Sequence, residues 1–197
     1  MPAVPRPRPA SQRDEPPLSF AQERLWFLDQ LEPGVAAYNM PAAVRLSGQL
    51  HPEALAASLT DLARRHETLR TRFAARHGEP VQCIEPAREV ALPLVDLRGL
   101  ESDRRQAEAR RVGTAEARRP FDLSRGPLLR VMLVRVDEAA HLALLTMHHI
   151  VSDGWSMRIL VRELGQLYGA RVRGLPPRLP ELAIQYADYA VWQRERL

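Results

Sequence analysis

The sequence contains no lysine; all 28 of its basic residues are arginine, set against 24 acids and six histidines. An arginine bias this complete points to GC-rich coding rather than to chemistry. Cysteine is almost missing as well. Cys83 stands alone, so no disulfide can close within the chain and no thiolate cluster can hold zinc. No apolar run approaches the roughly 20 residues needed to cross a bilayer, which excludes a membrane-spanning helix. The opening stretch MPAVPRPRPASQRDEPP has no apolar centre and is no secretory signal. These absences lead to the expectation of a cytoplasmic protein. Nor is there a block of charge of one sign. The net charge is +4, and the densest basic pairs (Arg104 and Arg105, Arg110 and Arg111, Arg118 and Arg119) alternate with Glu101, Asp103, Glu108 and Glu116. That pattern reads as the solvated face of a helix, so neither nucleic acid nor a membrane is an expected partner.

What is present is an ordinary globular balance, 45% hydrophobic and 26% charged residues over 197 positions, enough for one domain with a real core. Residues 1–17 hold six prolines among small polar residues and read as a disordered tail, with order beginning at Ser19. Ser19 and Gln22 have the spacing of a capping box, and the helix they open stops at Pro33 and Gly34. NMPAAVRLSG alternates Met40, Ala42, Val44 and Leu46 on one face, a strand. Pro52 starts a second helix with Leu55, Leu59, Leu62 and Ala63 inward. RHETLRTRF reads as a strand with Leu69, Thr71 and Phe73 on one side and Arg70 and Arg72 on the other. His77 and Gly78 turn it into PVQCIE. A loop over residues 87–99 leads to an arginine-rich helix over 102–118. Two apolar runs, LLRVMLVRV and HLALLTMHH, flank an acidic turn at Asp137 and Glu138 and read as an antiparallel pair deep in a sheet. A helix from Ser156 to about Val172 follows, and IQYADYAVWQRERL starts another. No internal repeat is visible. The order of elements predicts an α/β protein, a two-layer sandwich with a mixed β-sheet and packed helices.

The stretch TMHHIVSDGWSM ends the second apolar run and carries the most chemistry. Metal chelation is a poor reading: adjacent strand residues point to opposite faces, so His148 and His149 cannot share one ion, and His51, His66, His77 and His141 fall in unrelated segments. A hydrolase triad is poor too, because Ser152 lacks the Gly-x-Ser-x-Gly elbow and Cys83 lies on a separate strand with nothing to lower its pKa. A plain strand-to-helix junction, with a turn at Asp153 and Gly154 and Ser156 as helix cap, accounts for much of the pattern. Against it stands the crowding of histidine, acid and glycine at the open end of a buried strand, where a rigid side chain can meet a ligand and exchange a proton near neutral pH.

HHIVSDGWS resembles the His-His-x-x-x-Asp-Gly signature of nonribosomal peptide synthetase condensation domains, relatives of chloramphenicol acetyltransferase. SFAQERLWFLDQLEP, RHETLRTRF and YADYAVWQRE resemble that family's opening, second and fourth motifs, in the family's order. The wording of the opening and histidine motifs is most similar to the subtype joining two L-configured partners. The resemblance spans residues 18–197 and implies a chloramphenicol acetyltransferase-like single lobe. Residues 18–175 would be the N-terminal lobe, and 176–197 the start of a connection to a second lobe absent from this sequence. It implies amide bond formation between a donor acyl thioester and an acceptor aminoacyl thioester, both on 4'-phosphopantetheine arms of carrier proteins, with no bound cofactor or metal. Adenylation domains and the second condensation lobe are implied as further partners. His149 would be the catalytic residue, taking the amine's proton or orienting the amine, and His148 a structural one facing the core. Asp153 would form a buried ion pair with an arginine of the second motif, Arg70 in first place, Arg72 or Arg64 behind it. Gly154 would let the backbone approach the thioester. Trp155 is expected to pack, and Trp26, Phe27, Tyr38 and Trp192 to lie in the core or at helix interfaces. The lone lobe is expected not to condense substrates by itself. A coenzyme A-dependent acyltransferase of the same superfamily and a non-catalytic fragment are the alternatives.

Overall fold

In the computed structural model, the structure describes residues 5–7 and 15–196. Helix α1 (Phe20–Leu31) opens with the predicted box: Gln22 N–H donates to Ser19 Oγ at 3.2 Å and Ser19 N–H to Gln22 Oε1 at 3.0 Å, which satisfies two orphan amides reciprocally. Strand β1 (Asn39–Ser47) follows a 3-10 turn at Ala36–Tyr38, and α2 (Pro52–Arg65) begins on its proline. A second 3-10 turn, Glu67–Arg70, precedes the hairpin β2 (Thr71–Arg76) and β3 (Glu79–Ile84). Leu69 is buried as expected, but from this turn and not from a strand. His77 and Gly78 both take positive φ, the geometry that joins hairpin strands in two residues.

Within the predicted loop over residues 87–99 lies a short strand, β4 (Leu94–Asp96), that pairs parallel with the next strand. Helix α3 (Ser102–Arg118) comes next, then β5 (Leu129–Asp137) and β6 (Ala140–His148). Helices α4 (Gly154–Val172) and α5 (Tyr186–Arg196) complete the order. The main sheet runs β1-β6-β5-β4, with β5 and β6 antiparallel at its centre and β4 making it mixed, and β2-β3 form a separate ribbon. Pro41 is tolerated in β1 because that strand lies at the sheet edge.

Alternation along β5 divides the core. Leu129, Val131 and Leu133 join Met147 against Leu55, Leu59 and Leu62 of α2 and Leu160 and Leu167 of α4. Val134 and Leu144 face the other way, against Ala109 of α3. A third cluster gathers Leu18, Phe73, Phe121, Leu123, Leu128, Ile150 and Val151 beneath the end of β6. The tail boundary needs correction. Positions 1–4 and 8–14 lie outside the described residues, but Pro16 and Pro17 are tied down before Ser19: Gln82 N–H donates to Pro16 O and Gln82 Nε2 to Pro17 O, each at 2.8 Å, and Pro17 bridges Val81.

Candidate active site

β6 ends at His148, paired with Asn39 of β1, and the next residue has left the sheet. Period-two alternation sends the two histidines opposite ways. The His148 ring is 3% exposed, between Tyr38 and Phe121 with centroids 6.2 Å away on each side. Ile150 N–H donates to its Nδ1 at 3.1 Å, so that nitrogen carries a lone pair. Burial, and secondarily the neighbouring His149, pushes its pKa down to about 4. The ring is a neutral core residue at neutral pH.

His149 is exposed, and its backbone N–H donates to Tyr38 O at 2.9 Å, which fixes the residue to the turn before β1. Its Nδ1 lies 2.6 Å from Ser152 O. A carbonyl only accepts, so Nδ1 carries the proton and the neutral ring keeps the lone pair on Nε2. The ring lines a cavity of about 430 Å3 walled by Gln22, Arg24, Leu25 and Leu28 of α1, by Tyr38 and Thr68, by residues 149–153 and by Tyr186 of α5. An imidazole held by a backbone carbonyl, with its basic nitrogen available beside a half-apolar cavity, can accept a proton or orient an attacking amine.

Asp153 departs from its expected role. It is exposed, and it caps α4: Ser156 N–H and Oγ donate to its Oδ1 at 2.7 and 2.6 Å. Those hydrogen bonds hold its carboxyl below the usual range. The cap is therefore Asp153, with Ser156 inside the first turn. None of the three arginines reaches it among the described residues. Arg70 Nη1 donates to Glu85 O at 2.5 Å and its Nη2 stands 3.8 Å from Glu67; Arg72 pairs with Glu85 at 2.6 Å and Arg64 with Asp61 at 3.1 Å. The helix terminus wins because its amides lie within three residues of the carboxylate, whereas a guanidinium would have to cross from another element. Gly154 opens α4 without a positive φ, and a Cβ there would meet nothing within 4 Å. Its surroundings leave room for a ligand but impose no internal need for glycine.

The aromatic expectations divide. Trp26 packs partly on the third cluster, Tyr38 lies against His148, and Trp192 stacks near Tyr189 at 5.8 Å. Trp155 is 73% exposed and Phe27 also faces solvent, so neither is a core residue of this chain. Sequence alone assigns no place at the site to three of the cavity residues. Gln22 extends its cap role by donating Nε2 to Ile150 O at 3.4 Å, Thr68 Oγ1 donates to Val151 O at 3.2 Å, and the Tyr186 hydroxyl bonds Ser19 Oγ at 3.0 Å. All three lie in the motifs quoted for the resemblance, and that position is the only signal the sequence offers for them. Among the described residues no cluster of His, Cys, Asp or Glu could hold a metal ion, and no helix is long and apolar enough to cross a membrane.

Comparison with known proteins follows the same residues. A profile of the condensation domain family matches residues 12–197. The chain is 51% identical over 189 residues to a linear gramicidin synthase of Brevibacillus parabrevis, covering 96% of this chain and 4% of that protein. It is 49% identical to phosphinothricin tripeptide synthetase PhsC of Streptomyces viridochromogenes, covering 99% of this chain and 18% of that protein. Among solved structures, the starter condensation domain of rhizomide synthetase RzmA superposes with a TM-score of 0.83 at 25% identity, over 92% of this chain and 43% of that one. The X-domain from teicoplanin biosynthesis gives 0.80 at 35% identity, over 98% and 39%. The chain thus spans a small part of the curated relatives and about two fifths of the solved domains it matches. With a profile match across nearly its whole length and half of its residues shared with peptide synthetases, the chain belongs to the condensation domain family.

Proposed function

We propose that this chain is the histidine-bearing part of a domain that forms an amide bond between two thioesters carried on phosphopantetheine arms of carrier proteins. The α-amine of the acceptor attacks the donor's thioester carbonyl, a C–N bond forms, the C–S bond breaks, and the thiolate leaves with a proton. His149 serves by accepting the amine's proton on Nε2 or by holding the amine for attack. The observation that carries this reading is the orientation of His149: Nδ1 spent on Ser152 O, ring exposed to a cavity, and its neighbour His148 sealed away. Carrier-protein and adenylation partners, and the joining of two L-configured residues, belong to the same proposal, supported by the family membership and by the wording of the motifs.

Acyl-loaded and aminoacyl-loaded carrier proteins, supplied to the chain together with the C-terminal part of a related condensation domain, should give amide product. The product should vanish in His149→Ala while the variant keeps its thermal stability. Acyl-coenzyme A working as well as the acyl-carrier would favour the coenzyme A-dependent reading instead. A docking role is the second reading, favoured by one similar solved structure, the teicoplanin X-domain in complex with OxyB, at 34% identity and a TM-score of 0.81. Retained product in His149→Ala, or none in the wild type, would favour it.

A further inference from the structure

The main sheet is incomplete beside β5. Strand β4 pairs with it only from Leu94 opposite Leu133 to Asp96 opposite Arg135, so residues 129–132 have β6 on one side and no strand on the other. Across that outer edge Leu133 N–H donates to Pro93 O at 2.8 Å. Backbone groups alternate sides along a strand, so Val131 and Leu129 turn their N–H and C=O to the same edge. Pro93 is where the ladder must stop, because proline has no N–H for the Val131 carbonyl. Among the described residues neither Val131 nor Leu129 finds a backbone partner there. Opposite stands β2. Its Phe73 N–H points away from β3 to reach Leu123 O at 2.8 Å, which by the same alternation directs the Thr71 carbonyl toward β5.

Between the two edges lies a cavity of about 650 Å3, separate from the one beside His149. Ala63, Leu69 and Val90 make its apolar wall on the α2 side, and Glu116, Arg119 and Arg130 its polar wall on the α3 side. Six arginines and three glutamates line it in all, an excess of positive charge. We propose that this lane receives an extended strand of a partner polypeptide whose side chains alternate between apolar and acidic. Such a segment alone answers every feature at once. Its backbone matches the open N–H and C=O groups of β5, one row of side chains fills the apolar wall, and the other row meets the arginines. Four residues span the open edge, about 13 Å at the rise of a strand. A fatty acid or a simple anion would leave the backbone groups unmatched. Filled, the lane would join β2-β3 to the main sheet. None of this depends on the role given to His149.

The test is hydrogen exchange of single backbone amides, followed by NMR on the chain. The probe is the peptide Val-Glu-Val-Glu-Val, acetylated and amidated at its ends. At saturating peptide the Leu129 and Val131 amides should exchange at least about tenfold more slowly, as newly paired strand amides do, with α3 amides unchanged. The same peptide with arginine for glutamate should not protect them. Replacing two exposed rim residues, Arg88→Glu with Arg119→Glu, should weaken the acidic probe about tenfold, the scale of losing a pair of charge contacts at a surface. The proposal is overturned if both amides are already slow in the free chain, or if acidic and basic probes protect them equally. It is also overturned if protection follows chain concentration without peptide, which would make the occupant a second copy.

Discussion

His148 and His149 adjoin in the chain, yet one ring is neutral by burial and the other is held by a single carbonyl over a cavity. The buried ring makes stability depend on acidity in a defined direction. Its folded pKa of about 4 lies below the ordinary value near 6.5, so between those limits the unfolded chain binds a proton that the folded one refuses. Stability contributed by this group is intact above about pH 6.5 and is lost as pH falls toward 4, by up to about 3 kcal/mol. Protonation must also displace the Ile150 N–H from Nδ1. Urea unfolding at pH 7 and pH 4.5 should show the decline in the wild type and a much flatter response in His148→Gln. Gly154 gives the second test at this scale. With no atom within 4 Å of an added Cβ, Gly154→Ala should leave the melting temperature unchanged or slightly raised, since alanine is the better helix former. If the thioester passes this point, the same change should cut amide formation at least about tenfold, the rate counterpart of about 1.4 kcal/mol. Loss of rate without loss of stability would mark a steric role toward substrate; no loss of either would remove Gly154 from the site.

At the scale of elements, the strand-to-helix junction after β6 sets the geometry. Asp153 caps α4, and its replacement by alanine should cost about 1 kcal/mol, with asparagine recovering most of it. A double-mutant cycle with Arg70→Ala should show coupling near zero, whereas a direct ion pair would leave a clear interaction energy. Periodicity carried most of this level. The helices over residues 20–31, 52–65 and 102–118, and the β5-β6 pair, have apolar spacing that only one geometry satisfies. Three features were illegible for identifiable reasons. RHETLR alternates apolar and polar residues as a strand does, yet forms a 3-10 turn because Glu67 and Arg70 bond to neighbouring elements and not to a ladder. β4 has three residues behind a proline, too short for any period to register. The choice between Asp153 and Ser156 as cap rests on one torsion, and the arginine proposed for Asp153 required a distance that a single sequence does not contain. Which histidine faces out was legible, since alternation from a buried strand fixes it.

Across the whole molecule, a polar knot binds α2 to α4 and to the segment before α5. Glu163 is buried, with His66 Nε2 at 2.7 Å and Arg65 Nε at 3.1 Å, and Arg65 reaches Pro180 O at 2.5 Å. Glu163→Ala would strand the arginine beside an apolar core and should cost about 3–5 kcal/mol, read as a fall in the urea midpoint at unchanged slope. Glu163→Gln, which keeps hydrogen-bonding capacity, should cost less. A second clasp closes on α1. Arg194 donates to Leu18 O at 2.8 Å and pairs with Glu23, Gln193 accepts from Phe20 N–H at 3.0 Å, and Tyr186 meets Ser19. These bonds join residues more than 160 positions apart. During synthesis, the helix that walls the His149 cavity therefore leaves the ribosome long before the segment that locks it. Until then it must be sheltered or idle, so the cavity is finished only when translation has passed residue 194.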